Sequence, residues 1–112
     1  MATRSTARLL FGVGASRGVA RGAARRIRTF EEAMRLAPDE VLVAEALPAS
    51  WVASLPPCRA VVASLGGVLA NSAIVLRERG IPAVVGAADA FGQIADGDDL
   101  EVDGFLGVVR VR

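Results

Sequence analysis

The chain has 112 residues, 53% of them hydrophobic, and a net charge of +1. That suffices for one small domain with a modest core, is too apolar for disorder, and gives no bulk electrostatic case for nucleic acid. One cysteine, Cys58, and no histidine exclude an internal disulfide framework and leave no donor set for a transition metal.

All thirteen basic residues are Arg, and eight of them lie between Arg4 and Arg35. From Arg17 to Arg28 no aromatic residue interrupts the basic run to stack on bases, so no nucleic-acid partner is expected. Each apolar run is far shorter than the ~20 residues of a membrane span, so no membrane partner is expected either. A reducing, cytoplasmic setting fits the lone cysteine. The opening MATRSTARLL is rich in Arg and free of acids but lacks the apolar segment of a secretory signal. Residues 1–8 are read as a flexible N-terminus and 9–112 as one domain.

In chain order, residues 9–13 form a short apolar run that enters the Gly-rich passage Gly12 to Gly18, read as a turn. Residues 19–28 follow as a strand, with Gly22 marking a bulge. Thr29 is placed to cap a helix over 30–36, with Glu31 and Glu32 in its first turn and Pro38 as its stop. Residues 41–44 are continuous and largely β-branched, as in a strand buried on both faces. A short helix carrying Trp51 is expected over 48–55, before Pro56 and Pro57. Residues 60–63 form a second buried strand. Gly66 and Gly67 make a tight turn with positive φ, and a helix over 71–79 closes at Gly80. Residues 83–85 are the third buried strand. Asp96, Gly97 and Asp98 make a turn, and 100–103 and 106–111 flank a hairpin at Asp103-Gly104. Strands alternating with helices, followed by antiparallel ribbons, predict an α/β fold with a mixed sheet and short helices.

The order of these motifs closely resembles the mobile (swivelling) phosphohistidine domain of PEP-utilising enzymes such as pyruvate phosphate dikinase, phosphoenolpyruvate synthase and Enzyme I. Residues 14–22, GASRGVARG, resemble the family's opening G-x-S-P-G-x-x-x-G, with Arg17 where Pro is usual. Residues 41–43 resemble its G-D-V-L-V strand, with Asp39-Glu40 in place of Gly-Asp. Residues 65–86, LGGVLANSAIVLRERGIPAVVG, resemble its Gly-Gly turn, AAIVARE-type helix and GIPAVVG phrase. The closing DGxxVxVDGxxGxV is similar to Asp96-Gly97, Val102 to Gly104 and Gly107 to Val109. The likeness runs from about Gly12 to Val111 and implies a β/β/α swivelling fold.

The departures gather at the chemistry. The family's phosphorylated histidine falls on Asn71, and the two preceding positions, often Thr and Ser or Cys, are Leu69 and Ala70. A phosphocarrier needs a nucleophilic nitrogen near neutral pH. The carboxamide nitrogen of Asn71 has its lone pair delocalised into the carbonyl and can neither attack phosphorus nor act as a base. Ser72 offers a hydroxyl, but no His or Lys exists in the chain to activate it. No catalytic residue, cofactor or metal ligand is therefore expected. Asn71 is expected to cap the helix, and Gly66, Gly67, Asn71 and Ser72 remain the candidate binding residues, at a helix N-terminus where amides favour an anion.

The expected function is a stand-alone, catalytically degenerate mobile domain that binds or regulates. The alternative is an accessory swivelling subunit of a multi-chain phosphotransferase whose active histidine lies on another chain. Separately encoded nucleotide-binding or PEP-binding domain proteins are the partners the resemblance implies, and a homodimer is compatible with the high apolar content.

Overall fold

A computed structural model describes residues 7–67 and 69–112. Most of the expected flexible N-terminus, residues 1–6, lies outside the described residues, and the first strand already begins at Arg8. The elements are β1 (Arg8–Phe11), β2 (Val13–Ser16), β3 (Val19–Arg26), α1 (Phe30–Ala33), β4 (Glu40–Ala44) and α2 (Ala49–Ser54). They continue with β5 (Ala60–Ala63), α3 (Asn71–Arg79), β6 (Ala83–Val85), α4 (Ala90–Gln93), β7 (Asp99–Asp103) and β8 (Val108–Val111).

The strands join in one mixed sheet in the order β1-β8-β7-β3-β4-β5-β6-β2. β3, β4, β5 and β6 run parallel to one another, while the remaining pairings are antiparallel. The two terminal strands of this order, β1 and β2, are separated in the chain by Gly12 alone. Cα atoms two positions apart are at most ~7 Å from one another, so the end of one edge strand and the start of the other must lie side by side and the sheet curls closed on itself. The Gly12 N–H secures that junction by donating to the Gly107 carbonyl at 2.8 Å.

Curling divides the interior into two layers, and the two-residue period of the strands distributes side chains between them. Val41 and Val43 of β4 face the space inside the curled sheet with Leu10, Val62, Val84, Leu100, Val102 and Val109. Leu42 and Ala44 face the other way, with Val61 and Ala63, and meet Val52 of α2 and Leu76 of α3. All of Val41, Leu42, Val43 and Ala44 are fully buried. A strand buried on both faces has no polar positions to alternate, which is why its sequence reads as an unbroken apolar run.

Several expectations are met closely. Helix α3 has the bounds read from the sequence, and α2, β5 and β6 fall where the prolines and apolar runs place them. Thr29 caps α1 through a full capping box: its Oγ1 accepts from the Glu32 N–H at 3.1 Å, and Glu32 Oε1 accepts from the Thr29 N–H at 3.1 Å. The helix stops at Ala33, one turn long, and the following residues turn so that Leu36 reaches the core.

Gly22 is not a bulge. Its pairing with Leu100 continues the register of its neighbours without a break, and the missing side chain makes room for the Asp39 carbonyl. The β7–β8 turn is longer than expected, with β8 beginning at Val108. Asp103 Oδ1 organises the turn by accepting from the N–H groups of Phe105 (2.9 Å) and Leu106 (2.8 Å). Helix α4 had no counterpart in the sequence reading. It is four residues long, and tertiary contacts hold it. The Phe91 N–H donates to the buried Ser64 hydroxyl at 2.9 Å, and the Phe91 ring lies under the guanidinium groups of Arg26 (4.2 Å) and Arg28 (4.9 Å).

Candidate functional site

The site is the loop between β5 and α3 together with the first turn of α3. Two backbone bonds carry β5 past its last strand residue, from Ser64 N–H to the Ala44 carbonyl (3.0 Å) and from Leu65 N–H to the Glu45 carbonyl (2.9 Å). The chain then reverses at Gly66, whose φ of +113° lies in the region that disfavours a side chain. The positive φ expected of the Gly66-Gly67 turn is thus found at Gly66 and not at Gly67. Val68 lies outside the described residues. The loop returns to the helix with the Ala70 N–H donating to the Gly67 carbonyl at 3.1 Å.

Asn71 is not the cap of α3. It is the first helical residue, and the cap position belongs to Ala70, which has extended dihedrals and makes no side-chain bond to the helix. The cap lies one residue before the polar side chain that signals it. The helix starts as soon as the chain leaves the turn, and the Asn side chain points from its first turn into solvent. An α-helix leaves its first amides without intrahelical acceptors. At α3 an alanine methyl stands where a capping oxygen would be, so no cap side chain satisfies the first amides at the positive end of the helix dipole. The other end is closed by Gly80, at φ +67°, with the Ile81 N–H donating to the Leu76 carbonyl at 3.0 Å.

Gly66, Gly67, Asn71 and Ser72 are thus brought to one turn of chain, with Asn71 exposed and Ser72 half-buried. The Ser72 hydroxyl has no hydrogen-bond partner among the described residues. Nor do the described residues gather three or more His, Cys, Asp or Glu side chains. The loop is instead apolar on its surface: Leu69 is 88% exposed and Leu65 57%. Beneath it lies a cavity of about 150 Å³ lined by Leu65, Gly66, Ala70, Ser72, Leu76 and Val85 among others. Its composition suits an aliphatic group more than a phosphate.

The other residues singled out in the sequence lie elsewhere. Trp51 is half-buried on α2 and meets the Phe30 ring edge-on at 6.2 Å. Cys58 packs against the helix-side core, and burial pushes its thiol pKa up, away from a reactive thiolate. Arg77 donates from Nε to the Ala15 carbonyl at 2.7 Å and ties α3 to β2. Asp96 accepts from the Arg26 N–H, Asp98 from the Ala95 N–H, and Asp99 pairs with Arg21. No helix among the described residues is long and apolar enough to cross a membrane.

This geometry can be set beside known proteins. The PEP-utilising enzyme mobile domain matches residues 36–107. Phosphoenolpyruvate synthase of Aeropyrum pernix is 44% identical over 102 residues, which cover 90% of this chain and 12% of the synthase. The uncharacterized phosphotransferase YvkC of Bacillus subtilis is 37% identical over 108 residues, 96% of this chain and 13% of that protein. The chain therefore spans about one eighth of the length of these relatives. Among solved structures, Enzyme I is 32% identical with a TM-score of 0.63, covering 70% of this chain and 33% of its own. A UPF0107 protein covers 94% of this chain and 99% of its own at a TM-score of 0.72, but at 14% identity it attests the fold alone. The curled mixed sheet, the Gly-Gly loop and the helix that follows it make this chain a member of the PEP-utilising enzyme mobile-domain family.

Proposed function

We propose that the chain is a mobile-domain module that binds or regulates without carrying phosphate. The observation that supports this reading most is Asn71, an amide at the start of α3 where the family has its phosphorylated histidine, in a sequence with no histidine at all. An amide nitrogen has no available lone pair for phosphorus. The exposed Leu65 and Leu69 add a second support. Apolar side chains at the tip of such a loop favour a contact with another protein surface over a reaction in water. Family members swing between a nucleotide-binding and a PEP-binding domain.

A second reading keeps the pathway and moves the histidine: the module serves as an accessory swivelling element beside an active carrier. Its support is the retention of the turn, the helix and the Gly80 closure despite the loss of the histidine. One experiment separates the outcomes. The chain is incubated with labelled phosphoenolpyruvate or ATP and the remaining domains of a related synthase, with Asn71→His in parallel. No label on the natural chain, with measurable binding to one of those domains, is expected. Acid-labile, base-stable label on the natural chain overturns the non-carrier reading. Label gained by Asn71→His alone favours the accessory reading, because it shows that the docking surface still presents the helix to a working partner.

A further inference from the structure

A broad concavity lies at the far end of α3 from Asn71. It is about 630 Å³ and runs between β2, the β7–β8 turn and the last turn of α3, with Arg17, Arg77, Phe105, Gly14, Gly80 and Gly104 among its lining residues. Nine residues of helix at ~1.5 Å each place it ~13 Å along the axis from the Gly-Gly loop. We propose that it is a binding site for a small planar aromatic anion, an aryl carboxylate or a nucleoside monophosphate, and that Arg17 and Phe105 form its platform.

The volume lies within the ~300–1,000 Å³ range of small-molecule sites. Its lining residues carry two guanidinium groups, and the nearest carboxylate, Asp103, is engaged by the Phe105 and Leu106 N–H groups, so the lining favours an anion. The Arg17 guanidinium carbon stands 5.4 Å from the centre of the Phe105 ring, which is 64% exposed. A cation held over an exposed ring offers a flat surface that an aromatic ligand can extend while its negative group meets the cation. A bare inorganic ion would satisfy the charge and leave the ring in water.

The platform is also pre-set. The Gly104 N–H donates to the Gly18 carbonyl at 2.7 Å and stitches the turn that carries Arg17 to the turn that carries Phe105. Asp103 Oδ1 holds the backbone on either side of the ring through the Phe105 and Leu106 N–H groups. The Arg77 bond to the Ala15 carbonyl fixes the opposite wall. At Gly80 a Cβ would meet nothing within 4 Å, so that side of the concavity is open to an entering group. Order imposed beforehand by the protein is order a ligand need not impose on binding.

The test follows backbone amide shifts of the ¹⁵N-labelled chain during titration with adenosine monophosphate, benzoate and inorganic phosphate. Saturable shifts at Gly14, Ser16, Gly18, Gly104 and Phe105 with the nucleotide or benzoate are expected, and which of the two binds more tightly identifies the source of the anion. Arg17→Ala and Phe105→Ala alter exposed side chains and should each weaken that binding roughly tenfold. Unchanged shifts for β4 and β5 amides establish that the variants fold. Arg17→Lys, which keeps the charge and loses the planar stack, should fall between. Absence of saturation below about 10 mM, equal binding of inorganic phosphate, shifts confined to the Asn71 end, or indifference to both alanine variants overturns the proposal. None of these outcomes bears on the labelling experiment at Asn71, so the two readings fail separately.

Discussion

Where β2 passes beside the β7–β8 turn, backbone touches backbone, whereas at the Gly66-Gly67 loop it meets open space. A Cβ on Gly14 would run into the Gly104 carbonyl, one on Gly104 into the Ser16 carbonyl, and one on Gly12 would stand 2.5 Å from the Val85 carbonyl. At the loop, a Cβ on Gly67 would find nothing within 4 Å, and one on Gly66 would reach only the Val85 side chain at 3.7 Å. The two clusters look alike in composition and do different physical work. The first lets the sheet shut, because its closing edges approach more closely than any side chain permits. The second lets a loop reverse and leaves the start of α3 uncovered.

The largest expected effect tests that difference directly. Gly104→Ala forces an overlap with two backbone segments, Ser16 and Ala83, neither of which can rotate away. It should destabilise the fold by about 3 kcal/mol or more in denaturant unfolding. Gly67→Ala, at an ordinary φ and in open space, should change stability by no more than about 1 kcal/mol, toward the stable side, because it mainly restricts the unfolded chain. Equal effects at the two positions would mean that the seam is more pliable than its contacts indicate.

The open helix start sharpens the contrast at the next scale down. Helix α1 is four residues long and has a complete capping box, whereas α3 is nine residues long and has none. Ala70 already has the extended dihedrals of a cap residue, so Ala70→Ser places an oxygen toward the exposed amides with no change of backbone. The expected gain is about 1 kcal/mol. No gain would show that those amides are already satisfied, and the uncovered state of this helix end would have to be abandoned.

Much of this was legible from local signals. Thr29 and Glu32 signal a cap, Gly80 a helix end, and the uninterrupted 41–44 and 60–63 runs a sheet centre buried on both faces. What was hidden depends on parts of the chain that sequence keeps apart. Closure of the sheet follows from the places β1 and β2 take in the strand order, and no pattern within either strand announces it. Helix α4 exists because Ser64, Arg26 and Arg28 meet Phe91 from 27 to 65 residues away. The stretch Gly86 to Asp96 taken alone has neither length nor period for a helix. At the site, the residues that converge were identified by family likeness, but the register of the cap was off by one. Ala70 carries no polar signal to mark it, and Asn71, a favoured cap residue, sits immediately after.

The smallest expected effect concerns pH and separates the two helix starts by their chemistry. Glu32 holds its carboxyl below the usual carboxylate range, first because the Arg28 N–H donates to it at 2.7 Å and then because the Thr29 N–H does. A group whose folded pKa is depressed contributes stability above its unfolded pKa and loses it as pH falls through the folded value. The melting temperature should therefore decline as the pH drops through and below the ordinary carboxylate range. Asp99, held low by the Arg21 guanidinium, adds a contribution of the same sign. Glu32→Gln keeps an oxygen acceptor for the two amides and removes the charge, so it should make the decline shallower without abolishing it. The Ala70→Ser gain at α3 involves no titrating group and should be the same at pH 7 and at pH 4. A gain at α3 that vanished in acid, or a decline unchanged by Glu32→Gln, would show that the stabilising charge at α1 lies outside its capping box.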